Sequence, residues 1–452
     1  MVWNIFLLAF WPGLLTYDSF EQWKSVLDGH FIDAHSAFHA IFVWIVTRLW
    51  CSPTCIAMTQ IVALAALAGC CFTMIRSFGG SRRLTWTACI LFALLPFNCV
   101  WVITLWTDIP YSITFLAITL QIVFIVRSEG QWLSQSGSWV WMGVLWALLV
   151  LLRHNGFAVA VALPFIITVG YRQHWRRILS SLILALGLCL IVKWPVYQVL
   201  NVETLSGLRG QKLRFYPIVA LVAAHIQNGT PMTDSEKMLL NQVNPLNGGW
   251  IFSDGIDVTV HRANQINWNV ILSNQVDFLS CAWNLSARKP SVVLRHLLRH
   301  SSMVWRILQI QPGDTFNSGT YIGEDGLPDY IHPRQNDFGI EPAPKMPRLS
   351  LYLTRFILVS QSGKWNLWQP ATYLYVFLGG VVWAAWCSSN WRVLLIAAPV
   401  FLHTLLLVIL IPAADSRYMY PVMLVTTVFW PAFYLSPFRR QVIMHQVNVH
   451  KK

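Results

Sequence analysis

Charged residues are scarce in this sequence: Asp, Glu, Lys and Arg make up 11% of its 452 residues, whereas 56% are hydrophobic. An average soluble domain is about 25% charged. A chain with so few charges lacks the polar surface that a water-soluble protein of this size needs. A soluble enzyme, a nucleic-acid-binding module and a disordered chain are therefore excluded, and a membrane protein is indicated.

Cysteine is not organised into a framework. The nine Cys lie mostly inside apolar runs, without the spacing of a disulfide scaffold or a metal site. Cys51 and Cys55 share one predicted compartment, which is weak evidence for a bridge. The acidic residues are not spaced as a DxD pair, so we expect no metal and no divalent cation as a cofactor.

Long apolar runs are abundant. We count about ten that are long enough to cross a hydrocarbon core as helices, grouped in an N-terminal module (1–200) and a C-terminal module (371–452). The first is interpreted as a retained anchor, because no small-residue cleavage site follows it. The predicted spans are Trp3–Tyr17, Thr54–Ile75, Leu84–Leu105, Ile109–Val126, Ser138–Leu152, Asn155–Gly170, Leu179–Leu200, Ala371–Cys387, Val393–Ile411 and Tyr418–Tyr434.

The basic residues indicate how the spans are oriented, because cytoplasmic loops are enriched in Lys and Arg. With the N-terminus inside, every basic cluster is cytoplasmic, so the net charge of +13 signals topology and no nucleic-acid partner is implied. Carboxylates outside 201–370 lie almost entirely on the other face. The clusters are Arg76, Arg82 and Arg83; Arg127; Arg172, Arg176 and Arg177; Arg392; and Arg439, Arg440, Lys451 and Lys452.

The first outer loop, residues 18–53, is predicted to hold two helices. The stretch Ala37–Trp50 is strongly apolar but short, which favours a helix lying along the outer leaflet, and a second short helix is expected around Ser19–Leu27. A short extra span is the alternative for Ala37–Trp50. It would put Asp18 and the basic clusters on the same side.

Segment 201–370 has the composition of a globular domain. It holds charges of both signs, several Pro and Gly, and interleaved aromatic residues. We predict a large, mostly helical loop domain on the outer face, which is the periplasmic side in a bacterium. Arg295–Ile310 is the clearest helix within it.

Three acidic residues lie at the predicted outer boundary. Asp18 follows the first span, Asp33 lies in the first outer loop, and Asp108 stands between two spans. The pKa of a carboxylate at a membrane edge is tuned by burial and by neighbouring cations, which suits a general base. For Asp18 and Asp108 the alternative role is that of a helix cap.

Cationic and imidazole groups face the same side. Arg suits bidentate binding of phosphate, and each Arg here has polar neighbours; Asp415 and Arg417 alternatively neutralise one another or lie at the interface. His35 and His39, four residues apart, would share a helix face. The phosphate- and sugar-binding candidates are His35, Arg153, His154, Asn155, Arg417 and Tyr418, with Asp33, Asp415 and Lys193 as supporting residues.

Acids and cations on one face of a helical bundle favour a transferase with a membrane-borne, phosphate-linked donor. Cations would stabilise the departing phosphate, while a carboxylate deprotonates the acceptor hydroxyl. Two other classes stay open. One is a transporter or flippase of a lipid-linked glycan, and the other is an outer-face acyltransferase with His35 or His154 as its base.

Five short motifs are Trp11–Ser19, Asp33–His35, Leu105–Asp108, Arg153–Gly156 and Asp415–Tyr418. Together they resemble the motifs of GT-C-type integral-membrane glycosyltransferases. The likeness is to polyprenyl-phosphate-sugar-dependent enzymes such as phage-encoded serotype-converting O-antigen glucosyltransferases. Where related sequences often carry Lys and Pro, this chain has Thr107 and Ser36. The resemblance does not extend into 201–370.

The resemblance implies an all-α polytopic bundle with juxtamembrane helices in the first outer loop and Asp18 as catalytic base. It implies transfer of a hexose, with inversion, from a polyprenyl-phosphate donor to a glycan such as lipopolysaccharide O-antigen. Asp108 would orient the reacting groups. The expected location is the bacterial inner membrane with a periplasmic site, and the expected partners are membrane lipids, a flippase and a polyprenyl-phosphate sugar synthase. The donor is the one cofactor-like molecule required.

Overall fold

The computed structural model describes residues 1–33, 36–77, 79–204, 208–250, 265–308, 338–361, 367–411 and 415–434. Within these ranges the regular elements are helices, and no strand forms there. Five helices are long and apolar enough to cross a membrane, which fits an all-helical membrane protein. The expected count of about ten spans is therefore too high by this measure. Three further apolar helices, Ala37–Thr47, Ser138–Leu152 and Gly156–Gly170, are shorter.

Two compact units make up the chain. The first comprises described residues of 1–202, 317–404 and 417–452, and the second those of 203–316 and 405–416. Within 201–370, the described residues from 338 onward group with the first unit. The helices of the first 200 residues are α1 (Val2–Ala9), α2 (Tyr17–Asp28), α3 (Ala37–Thr47), α4 (Pro53–Ser77), α5 (Arg82–Leu94), α6 (Pro96–Trp101), α7 (Asp108–Arg127), α8 (Ser138–Leu152), α9 (Gly156–Gly170) and α10 (Trp175–Ile191).

The remaining helices belong to 203 onward. The second unit packs a core that includes Phe215, Leu240, Trp268 and Phe278. The helices from residue 203 onward, which belong to both units, are α11 (Leu208–Gln227), α12 (Asp234–Val243), α13 (Trp268–Ser273), α14 (Gln275–Arg288), α15 (Pro290–His300), α16 (Ser302–Trp305), α17 (Pro347–Gln361), α18 (Pro370–Ser388), α19 (Ala398–Leu410) and α20 (Tyr420–Tyr434). The helix predicted over Arg295–Ile310 is divided between α15 and α16, and its last two residues, Gln309 and Ile310, lie outside the described ranges.

Proline explains why several predicted spans are shorter helices. The first predicted span is helical only over α1, since Pro12 and Gly13 end the helical stretch. The third is divided where Pro96 begins α6 after α5. Proline disfavours helical geometry in the residue before it and lacks an N–H to donate. Hydrophobicity alone does not register these interruptions.

The two helices predicted in the first outer loop are confirmed as α2 and α3. Both contain buried aliphatic and aromatic side chains, among them Trp23 and Val43, in one cluster with Leu105. Cys51 and Cys55, the candidate bridge, are both free.

The segment that precedes α2 is tied to the segment that precedes α7. Leu14 N–H donates to the Ile103 carbonyl at 3.0 Å, and Leu105 N–H donates to the Leu14 carbonyl at 3.0 Å, forming a short parallel bridge. Gln60 Nε2 donates to the carbonyls of Val102 and Thr104. These bonds hold the segments that lead into Asp18 and Asp108 side by side.

An aromatic core anchors the start of α20. The Trp101 and Tyr420 ring centroids lie 4.9 Å apart, and Trp368 packs on Trp101 at 5.5 Å. Tyr420 Oη donates to Asn98 Oδ1 at 3.1 Å. This packing fixes the chain immediately after Arg417 and Tyr418.

Candidate active site

The first turn of α2 presents Asp18 without using it as a cap. Thr16 is the N-cap residue, and its backbone N–H donates to Ser19 Oγ at 2.9 Å. Ser19 Oγ in turn donates to the Leu105 carbonyl at 2.6 Å. Because Thr16 and Ser19 cap the helix, the Asp18 carboxylate is available for other contacts. The capping role considered for this motif thus belongs to Thr16 and Ser19, while Asp18 lies in the first turn of the helix.

Asp18 forms an ion pair with Arg417. Arg417 Nη1 donates to Asp18 Oδ2 at 2.7 Å, and the two side chains are 13% and 26% exposed, respectively. The guanidinium carbon of Arg417 lies 5.1 Å from the ring centroids of both Trp106 and Tyr418. Aromatic faces attract a cation, so they hold this arginine beside the carboxylate.

Asp108 forms the second pair, with Arg153. Asp108 is the first residue of α7, and Arg153 follows α8 in an extended conformation that turns its side chain toward Asp108. Arg153 Nη1 donates to Asp108 Oδ1, with the side chains 20% and 9% exposed. The Arg153 guanidinium also lies 4.9 Å from the Tyr418 ring, so that one aromatic ring contacts both arginines.

A cavity of about 140 Å³ brings these groups together. Seven of the residues singled out in the sequence line it. Asp18 is the more exposed of its two carboxylates, and Asp108 is the more buried. The lining residues are Asp18, Gln22, Ser36, Trp106, Thr107, Asp108, Leu152, Arg153, His154, Asn155, Arg417 and Tyr418.

Asp33 and Lys193 form a separate cluster that does not line the cavity among the described residues. Asp33 Oδ2 lies 3.7 Å from Lys193 Nζ, and Asp33 Oδ1 accepts hydrogen bonds from Tyr197 Oη and from the backbone N–H of Ala37. The Asp33 carbonyl accepts from His154 Nε2 at 2.9 Å. The Asp33 carbonyl therefore helps to position His154.

Two other candidate residues, Asp415 and His35, are not among the described residues that line the cavity. Asp415 is almost completely buried and does not line the cavity among the described residues. His35 lies outside the described residues, so its predicted role stays a prediction.

Five lining residues were not selected from the sequence: Gln22, Ser36, Trp106, Thr107 and Leu152. Gln22 lies one helical turn after Asp18, and that spacing is the signal that identifies it. The other four are sequence neighbours of selected residues.

Thr107 and Ser36, the two residues at which this chain differs from the sequences it resembles, have defined partners. Thr107 Oγ1 accepts a hydrogen bond from Gln22 Nε2 at 3.0 Å. Ser36 Oγ donates to the Leu151 carbonyl at 2.5 Å. These hydroxyls connect the first outer loop to the segments that carry Asp108 and Arg153.

Buried His39 contacts the Gln22 and Thr107 side chains of this network. Its Nδ1 lies 2.7 Å from Gln22 Oε1, and its Nε2 is buried with no hydrogen-bond partner among the described residues. Since Gln22 Nε2 donates to Thr107, the amide oxygen is the acceptor and His39 Nδ1 carries the proton. Burial lowers the pKa of His39 from 6.5 to about 3. The imidazole is therefore neutral in the folded protein.

We expect His39 to make stability depend on pH. Below pH 6.5 the unfolded chain binds a proton that the folded chain excludes, so stability falls as pH drops from about 6.5 toward about 3. Between pH 7 and pH 5 the loss is about 2 kcal/mol. Thermal unfolding of wild type and His39→Asn in detergent measures it, and the variant should show the smaller decline. The matched control is His30→Asn at an exposed histidine; equal declines in wild type and His39→Asn would contradict the assignment.

Gly156 allows the turn that carries Arg153, His154 and Asn155 to close. A Cβ at this position would clash with the Leu149 carbonyl oxygen, a backbone atom that cannot rotate away. We expect Gly156→Ala to destabilise the protein by about 3 kcal/mol or more and to reduce ligand binding at the cavity. Gly187→Ala is the control, since a Cβ there meets no atom within 4 Å. Similar melting temperatures for the two variants would show that the turn tolerates the extra methyl group.

Among the described residues, no group of three or more His, Cys, Asp and Glu side chains is arranged to hold a metal ion. Both cavity carboxylates are instead engaged by arginines. Comparison of the chain with protein-family models, with curated proteins and with solved structures found no match.

Proposed function

We propose that this protein is a glycosyltransferase that moves a hexose, with glucose the first choice, from a polyprenyl-phosphate donor to a cell-surface glycan such as lipopolysaccharide O-antigen. One observation carries the proposal: two carboxylates, each beside an arginine, line one cavity in a protein with apolar helices long enough to span a membrane. Ionisable groups are costly in such a setting and mark functional sites.

The different exposure of the two carboxylates suggests their roles. Asp18, 26% exposed, is accessible to an acceptor and acts as the general base. Asp108, 9% exposed, is held by Arg153 and orients the sugar or the acceptor. His154, fixed by the Asp33 carbonyl, and Asn155 contribute hydrogen bonds to the donor.

Phosphate binding and base activation are coupled in this mechanism. The two aspartates balance the two arginines of the cavity, so an incoming phosphate competes with the carboxylates for guanidinium N–H groups. When Arg417 turns from Asp18 toward the donor phosphate, the carboxylate loses its cationic partner and gains the capacity to take a proton. The base is then fully active when the donor is bound.

The chemical step is a direct displacement. Asp18 accepts the proton of the acceptor hydroxyl, whose oxygen forms a bond to the anomeric carbon. The bond between that carbon and the phosphate oxygen breaks, and polyprenyl phosphate leaves with its charge stabilised by Arg153 and Arg417. A single displacement inverts the anomeric configuration.

The cellular setting is part of the proposal. A GT-C-like helical bundle would lie in the bacterial inner membrane with its site on the periplasmic face. Residues 201–370 would select the acceptor. A polyprenyl-phosphate sugar synthase and a flippase would supply the donor, which makes serotype conversion a fitting biological role.

Transfer of label from a radiolabelled polyprenyl-phosphate hexose to lipopolysaccharide by the purified protein tests the proposal. Label in the acceptor, with inverted anomeric configuration, is the expected result. Protein-free detergent is the control. Movement of intact donor across a vesicle membrane without transfer would favour the transporter, and acyl incorporation that depends on His154 would favour the acyltransferase. Either result would overturn the proposed function.

A further inference from the structure

A second cavity lies wholly within the second unit, between the end of α11 and one face of α15. Its volume is about 300 Å³, against about 140 Å³ for the candidate active site. None of the described residues that line it is acidic, and its volume suits a ligand larger than a single ion. The lining residues are Ala224, Gln227, Asn228, Val292, Arg295, His296 and Arg299.

Helical spacing directs the α15 residues into this cavity. Arg295, His296 and Arg299 lie three, four and seven positions after Val292, which puts all four residues on one helix face. Val292 and His296 are buried at the base, whereas both arginines are exposed. The result is an apolar and imidazole floor under a guanidinium rim.

Stabilisation of the C-terminus of α11 does not account for Arg295. Cations favour a helix C-terminus because it carries partial negative charge, and Lys289 already serves there, donating from Nζ to the Asn228 carbonyl at 2.7 Å. Arg295 instead donates to the side-chain Oδ1 of Asn228 at 3.1 Å. This neutral partner orients the guanidinium and leaves its charge in place.

We propose that this cavity binds an acidic saccharide, through a phosphate or carboxylate oxyanion held by Arg295 and Arg299. Guanidinium groups pair with both kinds of oxyanion in a bidentate manner. The exposed Gln227 carboxamide at the rim supplies donors and an acceptor for sugar hydroxyls. The inference concerns binding alone, so it does not depend on whether the protein transfers a hexose.

The test is a saturation-transfer NMR titration of the purified full-length protein with glucose 6-phosphate, glucuronate and neutral glucose. We expect both acidic sugars to bind and glucose to give no signal at the same concentrations. The double variant Arg295→Gln/Arg299→Gln should weaken binding about tenfold or more, the loss expected for a charge-assisted hydrogen bond. Lys237→Gln, at an exposed lysine of the same unit paired with Asp234, should bind like wild type.

Two further arms distinguish this cavity from the first one and a saccharide from simpler anions. Arg417→Gln should leave the Arg295-dependent binding unchanged; if that variant alone removes the signal, the ligand occupies the first cavity and the inference is overturned. Inorganic phosphate and phosphatidylglycerol nanodiscs serve as competitors. Displacement by either as effective as by glucose 6-phosphate would overturn the assignment of a saccharide. Unchanged binding in the double variant, with an unchanged melting temperature, would overturn the site itself.

Discussion

Asp18→Asn is expected to reduce hexose transfer by about 10²–10⁴-fold, the usual contribution of a positioned general base. Asn keeps the size of Asp and an oxygen that accepts from Arg417, whose Nη1 lies 2.7 Å from Asp18 Oδ2. It cannot accept the proton of the acceptor hydroxyl. Because Thr16 and Ser19 cap α2, the helix should persist, with a loss of stability comparable to that of Asp108→Asn because the Arg417 side chain, 13% exposed, loses its carboxylate partner. The measurement is initial rate with labelled donor, alongside the melting temperature.

Asp28→Asn is the matched control for this substitution. Asp28 ends the same helix and is exposed, so its loss should leave turnover unchanged. Asp18→Glu moves the carboxylate by one methylene and should also lose most turnover if Asp18 is a positioned base. Full activity of Asp18→Asn would move the base to another carboxylate of the cavity, with Asp108 the first choice, and full activity of Asp18→Glu would favour a binding role without chemistry.

Asp108→Asn is expected to cost about 2–4 kcal/mol of stability as well as activity. Breaking a buried ion pair by removing one partner costs about 3–5 kcal/mol because the remaining charge stays buried. We discount that range because the Arg153 side chain is 20% exposed. The double variant Asp108→Asn/Arg153→Gln removes both charges and should recover much of the stability, while turnover stays low because no phosphate-binding arginine remains at that position.

The exposed pair Lys237–Asp234 supplies the control. Its side chains are 51% and 98% exposed, and exposed pairs contribute about 0–1 kcal/mol. Asp234→Asn should therefore leave the melting temperature nearly unchanged. A double variant as unstable as Asp108→Asn alone would show that the residues do not act as a pair, and recovered turnover in that variant would remove Arg153 from the mechanism.

Local sequence features predicted much of the helical architecture. The apolar runs that became α7 (Asp108–Arg127), α8 (Ser138–Leu152) and α18 (Pro370–Ser388) were located to within one or two residues. Hydrophobicity and helix-terminating residues act over a few positions, so both can be recognised in the sequence. The number of long spans was overestimated because the hydrophobicity of a run does not reveal a break such as Leu95–Pro96 within it.

The residues of the candidate site were selected one motif at a time, each as a polar interruption beside an apolar run. Gln22 is not predicted as a site residue, because its position one helical turn from Asp18 follows only once α2 is known to be a helix. His39 was noticed as a partner of His35, yet its described contacts are with Gln22 and Thr107. Such contacts depend on the packing of the first outer loop.

The sequence by itself determined that this is a helical membrane protein with acids and cations at the ends of apolar segments. The scarcity of charge is a property of composition, and the hydrophobic runs are short stretches of neighbouring residues. Both can therefore be recognised without knowing how the helices pack. Only the tertiary structure decided which acid meets which cation. Asp18 pairs with Arg417 across 399 positions and Asp108 with Arg153 across 45, because buried charges must find partners and helix packing settles which partners are within reach.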